Sequence, residues 1–434
     1  MSNTVEKGSY HKMENREQEK ERASYREVLR QREYFKILLA GLVNRFGDSI
    51  DAVAFTWLVY AITGKASWSA LVFAANQLPS VLVQPFAGVL VEGMDKKKLM
   101  VVTDIVRGIT TSGLAVLYLT SCVNPWLLLA FTLVNSTVEA FRLPAGLAVL
   151  PKVLEERYYT FGTSLSTTLS MIVEMIGLGM AGVVISVCGI GIAIAIDGIS
   201  FFGSALILCT LRLKKERAQG GALAGAYWEN LREGLRYLKG QSVIRNLCLL
   251  TVLLNAVITP LDSLQSPLIQ EVMGQGSSLL SAFAIALTIG SGLGSFVYPF
   301  FAGKISAVDL FAGTGILIGA GMCCYTLGGS VRGNVAAVYV LTILVTFVIG
   351  VSSSVLVSAL NVQFMKSVSQ DYLARVGAIF NAGASAATPL ASLALGALAA
   401  FCSVSQIFLF SGAICVIIFL IIYLAQVRNC RGVV

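Results

Sequence analysis

The chain has 434 residues, of which 56% are hydrophobic and only 13% charged, with a mean hydropathy of +0.77. A water-soluble domain carries about 25% charged residues, so most of this surface must face something other than water. The formal charge of +8 does not indicate a nucleic-acid partner, because the basic residues sit in short stretches between apolar runs, where they set membrane topology. His11 is the only histidine and precedes the apolar body, which excludes imidazole catalysis and histidine-based metal binding there. The nine cysteines show no metal-ligand spacing and read as small apolar residues, so no metal site is expected.

Residues 1–34 form a charged N-terminal arm, with eight Lys/Arg against seven Glu. Tyr25, Val28 and Leu29 recur at helical spacing beside Arg22, Arg26 and Arg30, which predicts a helix over about 23–34 lying on the membrane surface. No early apolar core precedes residue 35, so no cleavable signal peptide is expected. Apolar segments then follow at about 35–61, 67–91, 99–121, 125–149, 159–187, 190–212, 243–273, 277–302, 307–328, 334–362, 372–400 and 402–427. Each is long enough to span a bilayer as a helix. Only the connection 213–242 is long. It is basic, and Trp228, Leu231, Leu235 and Leu238 give it an amphipathic, interfacial helix.

The arrangement reads as an all-α membrane protein of twelve transmembrane helices in two six-helix halves, 35–212 and 243–427. The linker 213–242 joins them, and 428–434 is a short tail. With the N-terminus inside, 27 of the 32 Lys/Arg fall on the cytoplasmic side, Lys65 and Arg332 fall outside, and Arg45, Arg107 and Arg142 lie within apolar segments. That bias places both termini in the cytoplasm of a multi-pass protein of the cell membrane.

Charges inside the segments are costly in hydrocarbon and therefore point to function. In the first segment Arg45, Asp48 and Asp51 follow at three-residue spacing beside Asn44 and share a helix face. Asp48 and Asp51 fall roughly 18–24 Å into the helix and are candidates to carry a proton. An alternative is a purely structural Arg45–Asp48 pair. In the fourth segment Glu139, another proton-acceptor candidate, precedes Arg142 by three residues. Asp104, Glu174 and Asp197 also lie in apolar runs.

The stretch Gly88-Val89-Leu90-Val91-Glu92-Gly93-Met94-Asp95-Lys96-Lys97-Lys98-Leu99 resembles the loop Gly-x-Leu-x-Asp-x-x-Gly-Arg-Lys-x-x-Leu between helices two and three of the major facilitator superfamily. Glu92 stands at the usual Asp and Asp95 at the usual Gly. Asp104, Pro144-Ala145 with Leu150-Pro151, Ile194-Ala195-Ile196-Asp197, Glu233-Gly234-Leu235 and Tyr372-Leu373-Ala374-Arg375-Val376 are similar to the macrolide-efflux and enterobactin-exporter-like branch. The resemblance covers about 35–427. One departure lies in the fifth segment, where Gly177-Leu178-Gly179 replaces the Gly-Pro start of the Gly-Pro-x-x-Gly run of proton-coupled exporters.

The resemblance implies several roles. Glu92 would meet Arg375 and the start of the eleventh helix as a latch between halves, and Lys96, Lys97 and Lys98 would anchor to anionic lipid headgroups. Segments one, four, seven and ten would line a central cavity, giving Asn135, Thr137, Asn255, Thr259, Asp262, Ser354 and Ser358 as substrate contacts. Arg142 matches the intramembrane arginine of exporters. Asp104 and Asp197, on supporting helices, would be structural. The function implied is proton-coupled efflux of hydrophobic or amphipathic molecules (drug, macrolide, siderophore or metabolite) by alternating access. The protein would act as a monomer on an organic substrate, with the proton gradient as its energy source and no cofactor. A lysophospholipid transporter and a non-transporting membrane scaffold or sensor are the alternatives. With no phosphate-binding loop and no catalytic constellation, an enzyme reading finds no support.

Overall fold

The computed structural model describes residues 25–83, 86–87, 90–91, 94–155, 158–213, 232, 236, 240–301, 304–330, 332–368 and 373–431. The described residues are helical, with no strand among them. Long apolar runs leave backbone groups no water to bond, so each run closes its hydrogen bonds internally as a helix. The long helices are α1 (Arg32–Thr63), α2 (Ala66–Leu82), α3 (Lys96–Leu119), α4 (Pro125–Val153), α5 (Tyr159–Cys188) and α6 (Ile190–Cys209). The second set is α7 (Ser242–Ser263), α8 (Ser277–Phe301), α9 (Ala307–Cys324), α10 (Val335–Ser367), α11 (Leu373–Leu398) and α12 (Val404–Arg431). Among the described residues, nine helices are long and apolar enough to cross a membrane. α1 is not one of them, although it has 32 residues; it carries Arg45, Asp48 and Asp51 through its middle.

Local chemistry sets the helix ends. Asn124 accepts from the Leu127 amide just ahead of α4, where Pro125 supplies a first residue that needs no amide partner. Asn334 caps α10 and Ser306 caps α9 in the same way. α1 stops at Gly64, whose φ of 59° suits glycine and lets its amide bond back to the Tyr60 carbonyl.

Three expectations change at this level. The helix expected over 23–34 is a single turn, Tyr25–Arg30, and the chain extends at Gln31 before α1 begins at Arg32. Val28 is fully buried against Tyr34, Leu38, Leu154 and Tyr158, and Glu27 accepts from the Tyr158 hydroxyl at 3.2 Å. This turn is therefore seated on the protein through Val28, while Leu29 stays exposed. The segment expected over 243–273 is interrupted: α7 contains Pro260 and ends at Ser263, followed by the short turn Gln265–Pro267 and a π-turn over Leu268–Met273. The ninth segment tightens to a 3-10 turn at Tyr325–Gly329. Apart from the helical residues 232, 236 and 240, the expected linker helix lies outside the described residues.

The helix pairings repeat between the halves. α1 packs on α5, α2 on α4 and α3 on α6; correspondingly, α7 packs on α11, α8 on α10 and α9 on α12. Small residues permit the tightest crossings. A β-carbon on Gly290 of α8 would lie 2.5 Å from the Phe347 carbonyl oxygen of α10, and one on Gly350 would lie 2.6 Å from that of Leu287. Between the halves, α2 meets α11 and α5 meets α8, two contacts that the same exchange interconverts. The Ser392 hydroxyl donates to the Ala70 carbonyl at 2.7 Å, Gly182 lies against Ser278 and Ser281, and Tyr60 donates to Glu271. All of these lie toward the end that carries the α1–α2 turn, so the halves are in contact there.

These glycines give a direct test of the packing. Gly290→Val should destabilise the detergent-purified protein by about 1–3 kcal/mol, read as a lower melting temperature. Gly292→Val, where a β-carbon meets nothing within 4 Å, should leave it near wild type.

Candidate functional site: a charge network in the first six helices

α1, α3, α4 and α6 bring together most of the charges that the sequence places inside the membrane. Asp48 lies halfway along α1, about 24 Å from its start. Arg107 of α3 reaches it at 3.1 Å and also reaches Glu139 of α4 at 3.7 Å. The Arg107 guanidinium lies 4.1 Å from the centre of the Phe201 ring of α6, which supports its flat face. Arg107 is 11% exposed, whereas Asp48 is 33% and Glu139 42% exposed. The arginine is thus enclosed while its two carboxylate partners face open space.

A second, deeper pair lies beside it. Arg142 of α4 meets Asp104 of α3 at 2.9 Å, and Asp104 is fully enclosed. Asp104 also accepts from Ser204 of α6 at 2.6 Å and from Asn44 of α1 at 3.4 Å, so it ties four helices together. Asp197 of α6 is buried and bonded to Ser200, both packed against Gly47 of α1. The expected structural roles of Asp104 and Asp197 fit these surroundings. One oxygen of Asp51 is buried with no hydrogen-bond partner among the described residues.

The pairing differs from the intrahelical one suggested by spacing. Arg45 does not pair with Asp48; it bonds Glu174 of α5 at 2.5 Å. Arg142 does not pair with Glu139 but crosses to Asp104. Spacing of three residues puts charges on one face but leaves the choice of partner to the neighbouring helix. The sequence reading misses Arg107 as a functional residue. Its signal is present, since Asp104-x-x-Arg107 repeats the spacing of Glu139-x-x-Arg142.

The loop residues divide. Gly88 and Glu92 lie outside the described residues, as does the side chain of Arg375, and the expected latch lies there with them. Asp95 caps α3 by accepting from the Lys98 amide at 3.1 Å, which gives this departure from the superfamily pattern a structural reason. Lys97 donates to the Cys209 and Leu211 carbonyls at 2.8 and 2.7 Å, and Lys36 donates to Thr210 at 2.9 Å. These ammonium groups neutralise the carbonyl end of α6. Lys97 is therefore engaged by protein, leaving Lys98 as the exposed lysine of the three.

Among the expected cavity residues, Asn135 accepts from Thr110 at 2.8 Å and Ser354 bonds Ser295 at 2.5 Å, so both join helices. Asn255 donates to the Thr251 carbonyl. Thr259 is 1% exposed and bonds the Asn255 carbonyl, which makes it a packing residue with no free surface to offer a ligand. Thr137, Asp262 and Ser358 are partly exposed. Among the described residues no group of acidic, cysteine or histidine side chains has the geometry to hold a metal ion.

Two helical bundles that repeat their pairings and enclose buried charges define a major facilitator transporter fold. A single-residue variant of the nucleoside transporter NupG superposes with a TM-score of 0.72 at 14% identity, covering 90% of this chain and 100% of that one. The family model for transmembrane secretion effectors matches residues 24–432, and the chain belongs to that family, whose members are major facilitator transporters and not enzymes. The match begins at the turn Tyr25–Arg30, so the family resemblance extends further into the arm than the motifs indicated. Macrolide efflux protein A of Streptococcus pyogenes is 22% identical over 386 residues, 89% of this chain and 94% of that protein. BacE of Bacillus subtilis strain 168, named as a candidate bacilysin exporter, is 29% identical over 223 residues. That alignment takes in 51% of this chain and 54% of BacE, so the chain spans about half the length of that relative.

The enclosed pair predicts a large coupling. Arg142→Gln would leave Asp104 buried without its counter-charge and should cost about 3–5 kcal/mol. Adding Asp104→Asn should recover much of that loss in a double-mutant cycle of thermal or denaturant stability. The partly exposed Arg45–Glu174 pair should show about 0–1 kcal/mol in the same experiment.

Proposed function

We propose that the protein is a secondary active exporter that moves hydrophobic or amphipathic organic molecules out of the cell in exchange for protons. The observation that carries this reading is one enclosed guanidinium, Arg107, facing two partly exposed carboxyls, Asp48 and Glu139. One positive charge cannot neutralise two carboxylates in a low-dielectric interior. A proton taken up by either carboxyl removes the surplus charge and weakens that carboxyl's hold on Arg107. Because Asp48 is on α1, Arg107 on α3 and Glu139 on α4, the change alters how these helices are held together.

The exchange-symmetric contacts between halves support alternating access. A proton arriving from outside would favour one arrangement, and its loss to the cytoplasm would favour the other. In this reading the chain spans the cytoplasmic membrane twelve times with both termini inside, and the end that carries the α1–α2 turn faces outward. It works as a monomer, with no cofactor beyond the proton gradient. The lipid bilayer around it is anionic on the side of Lys98. The relatives named for macrolide efflux and bacilysin export support an organic cargo and an outward direction.

The test uses proteoliposomes with an imposed pH gradient and erythromycin as the probe. Wild-type protein should move the probe with the gradient and lose that movement when the gradient is collapsed. Asp48→Asn and Glu139→Gln should each reduce gradient-driven transport by about tenfold or more while still binding the probe. Transport by Asp48→Asn at the wild-type rate would remove Asp48 from the coupling step.

A further inference from the structure

Glu271 is the only acidic residue in the connections at the end that carries the α1–α2 turn. It stands on the π-turn Leu268–Met273, which the chain enters after α7 has ended. Single π-turns in helical chains are frequent at functional sites. Leu268, Ile269 and Met273 of this turn are fully buried, whereas Glu271 is exposed. Among the described residues its side chain forms no ion pair, and its one hydrogen bond comes from the Tyr60 hydroxyl of α1, in the other half.

Both partners are held firmly by their own halves. Thr342 of α10 donates to the Met273 sulfur at 3.2 Å, and a β-carbon on Gly328 of the 3-10 turn would also lie 3.2 Å from Met273. Gln270 donates to Ser266 at 2.9 Å, and the Gln275 amide bonds back to the Ile269 carbonyl. Tyr60 is 9% exposed, and its carbonyl accepts from the Gly64 amide where α1 ends. The Tyr60–Glu271 bond therefore joins two well-packed bodies at a single point. Movement of one half against the other by more than hydrogen-bond reach breaks it.

Few charges surround the carboxyl. α2, which touches the turn Gln265–Pro267, has none, and the 3-10 turn has only Tyr325, buried and bonded to Thr346. α10 contributes Tyr339 at this end and Lys366 at the other, and α12 has Arg428 and Arg431 at its far end. On α1 the nearest carboxyl in sequence is Asp51, and on α7 it is Asp262. Lys65 follows α1, and Arg332 lies over Gly274, where a β-carbon would be 2.1 Å from its Nε. None of these forms an ion pair with Glu271, so the phenol is its partner. A hydrogen bond to a carboxylate is roughly twice as strong as one to a neutral acceptor. A proton taken up by Glu271 removes the charge and leaves the weaker bond.

We propose that the Tyr60–Glu271 bond is a proton-sensitive latch between the halves, held by the Glu271 carboxylate and released by its protonation. This rests on the alternating-access part of the transport reading above, and it adds an acid of the second half, separate from Asp48 and Glu139. A proton source at this end would thereby loosen the neighbouring contacts of α2 with α11 and of α5 with α8.

The experiment places Ala70→Cys in the full-length protein, at a fully buried position where α2 meets α11, 3.5 Å from where a β-carbon of Gly396 would lie. Its labelling by a membrane-impermeant maleimide is read by peptide mass spectrometry relative to Cys122, which is exposed at the same end. Labelling should be slow at neutral pH and about tenfold faster in acid. Adding Tyr60→Phe or Glu271→Gln, each nearly unchanged in shape, should give the fast rate at neutral pH and remove the acid response. Combining the two should add nothing further. Asp48→Asn should leave the acid response in place. Neutral-pH labelling unchanged by both Tyr60→Phe and Glu271→Gln overturns the latch, as does a position 70 that labels in none of these proteins. An acid response that survives Glu271→Gln, or that Asp48→Asn abolishes, overturns Glu271 as the proton site. Erythromycin transport on a pH gradient by a protein that fails these labelling tests would leave the transport reading standing. A working latch without gradient-driven transport would do the reverse.

Discussion

Arg107 holds the first six helices to one electrical arrangement. A guanidinium inside a membrane bundle is stable only where carboxylates surround it, and here they come from α1 and α4 while the aromatic ring beneath comes from α6. The positions of α1, α3, α4 and α6 are thereby linked through one guanidinium to two partly exposed carboxyls. The neighbouring Arg142–Asp104 pair is different in kind. It is closed off, bonded to Ser204 and Asn44, and acts as a fixed joint. The bundle thus holds an enclosed pair beside a shared and more accessible one.

The second six helices solve a different problem. Apart from Asp262, the described residues of their interior carry no charge at mid-depth, and they are held by glycine crossings such as Gly290 against α10 and Gly319 against Gly412. Lipid gives no hydrophobic reward for helix association, so close backbone approach and dispersion must do it. The division leaves ion chemistry in one half and shape in the other. The surfaces at which the halves meet, α2 on α11 and α5 on α8, are apolar or small and lie toward one end.

The alternative of an Arg45–Asp48 pair failed for a physical reason that applies to Glu139 and Arg142 as well. Arg45 and Asp48, and likewise Glu139 and Arg142, lie three residues apart on their helices, which brings them to one face. Each charge then chose a partner across the interface, because a neighbouring helix offers better geometry and more complete desolvation than the next turn of its own helix. The lysines after Asp95 show the same effect. Lys97 is basic and at the membrane boundary, as a lipid anchor would be, but the carbonyl end of α6 lies within reach and takes it.

The sequence by itself determined the helical class, the position of nearly every long helix and the family to which the loop pointed. These follow from hydropathy and charge, which act locally and need no knowledge of neighbours. It also exposed which charges lay inside the apolar runs. Only the tertiary structure decided who pairs with whom, that Thr259 is packed away, that the α7 segment breaks at Leu264, and that Arg107 is central while Asp262 has no partner among the described residues. Those outcomes depend on which helix faces lie opposite one another. That relation is set by packing between segments far apart in the chain, which the spacing of residues within one segment does not encode.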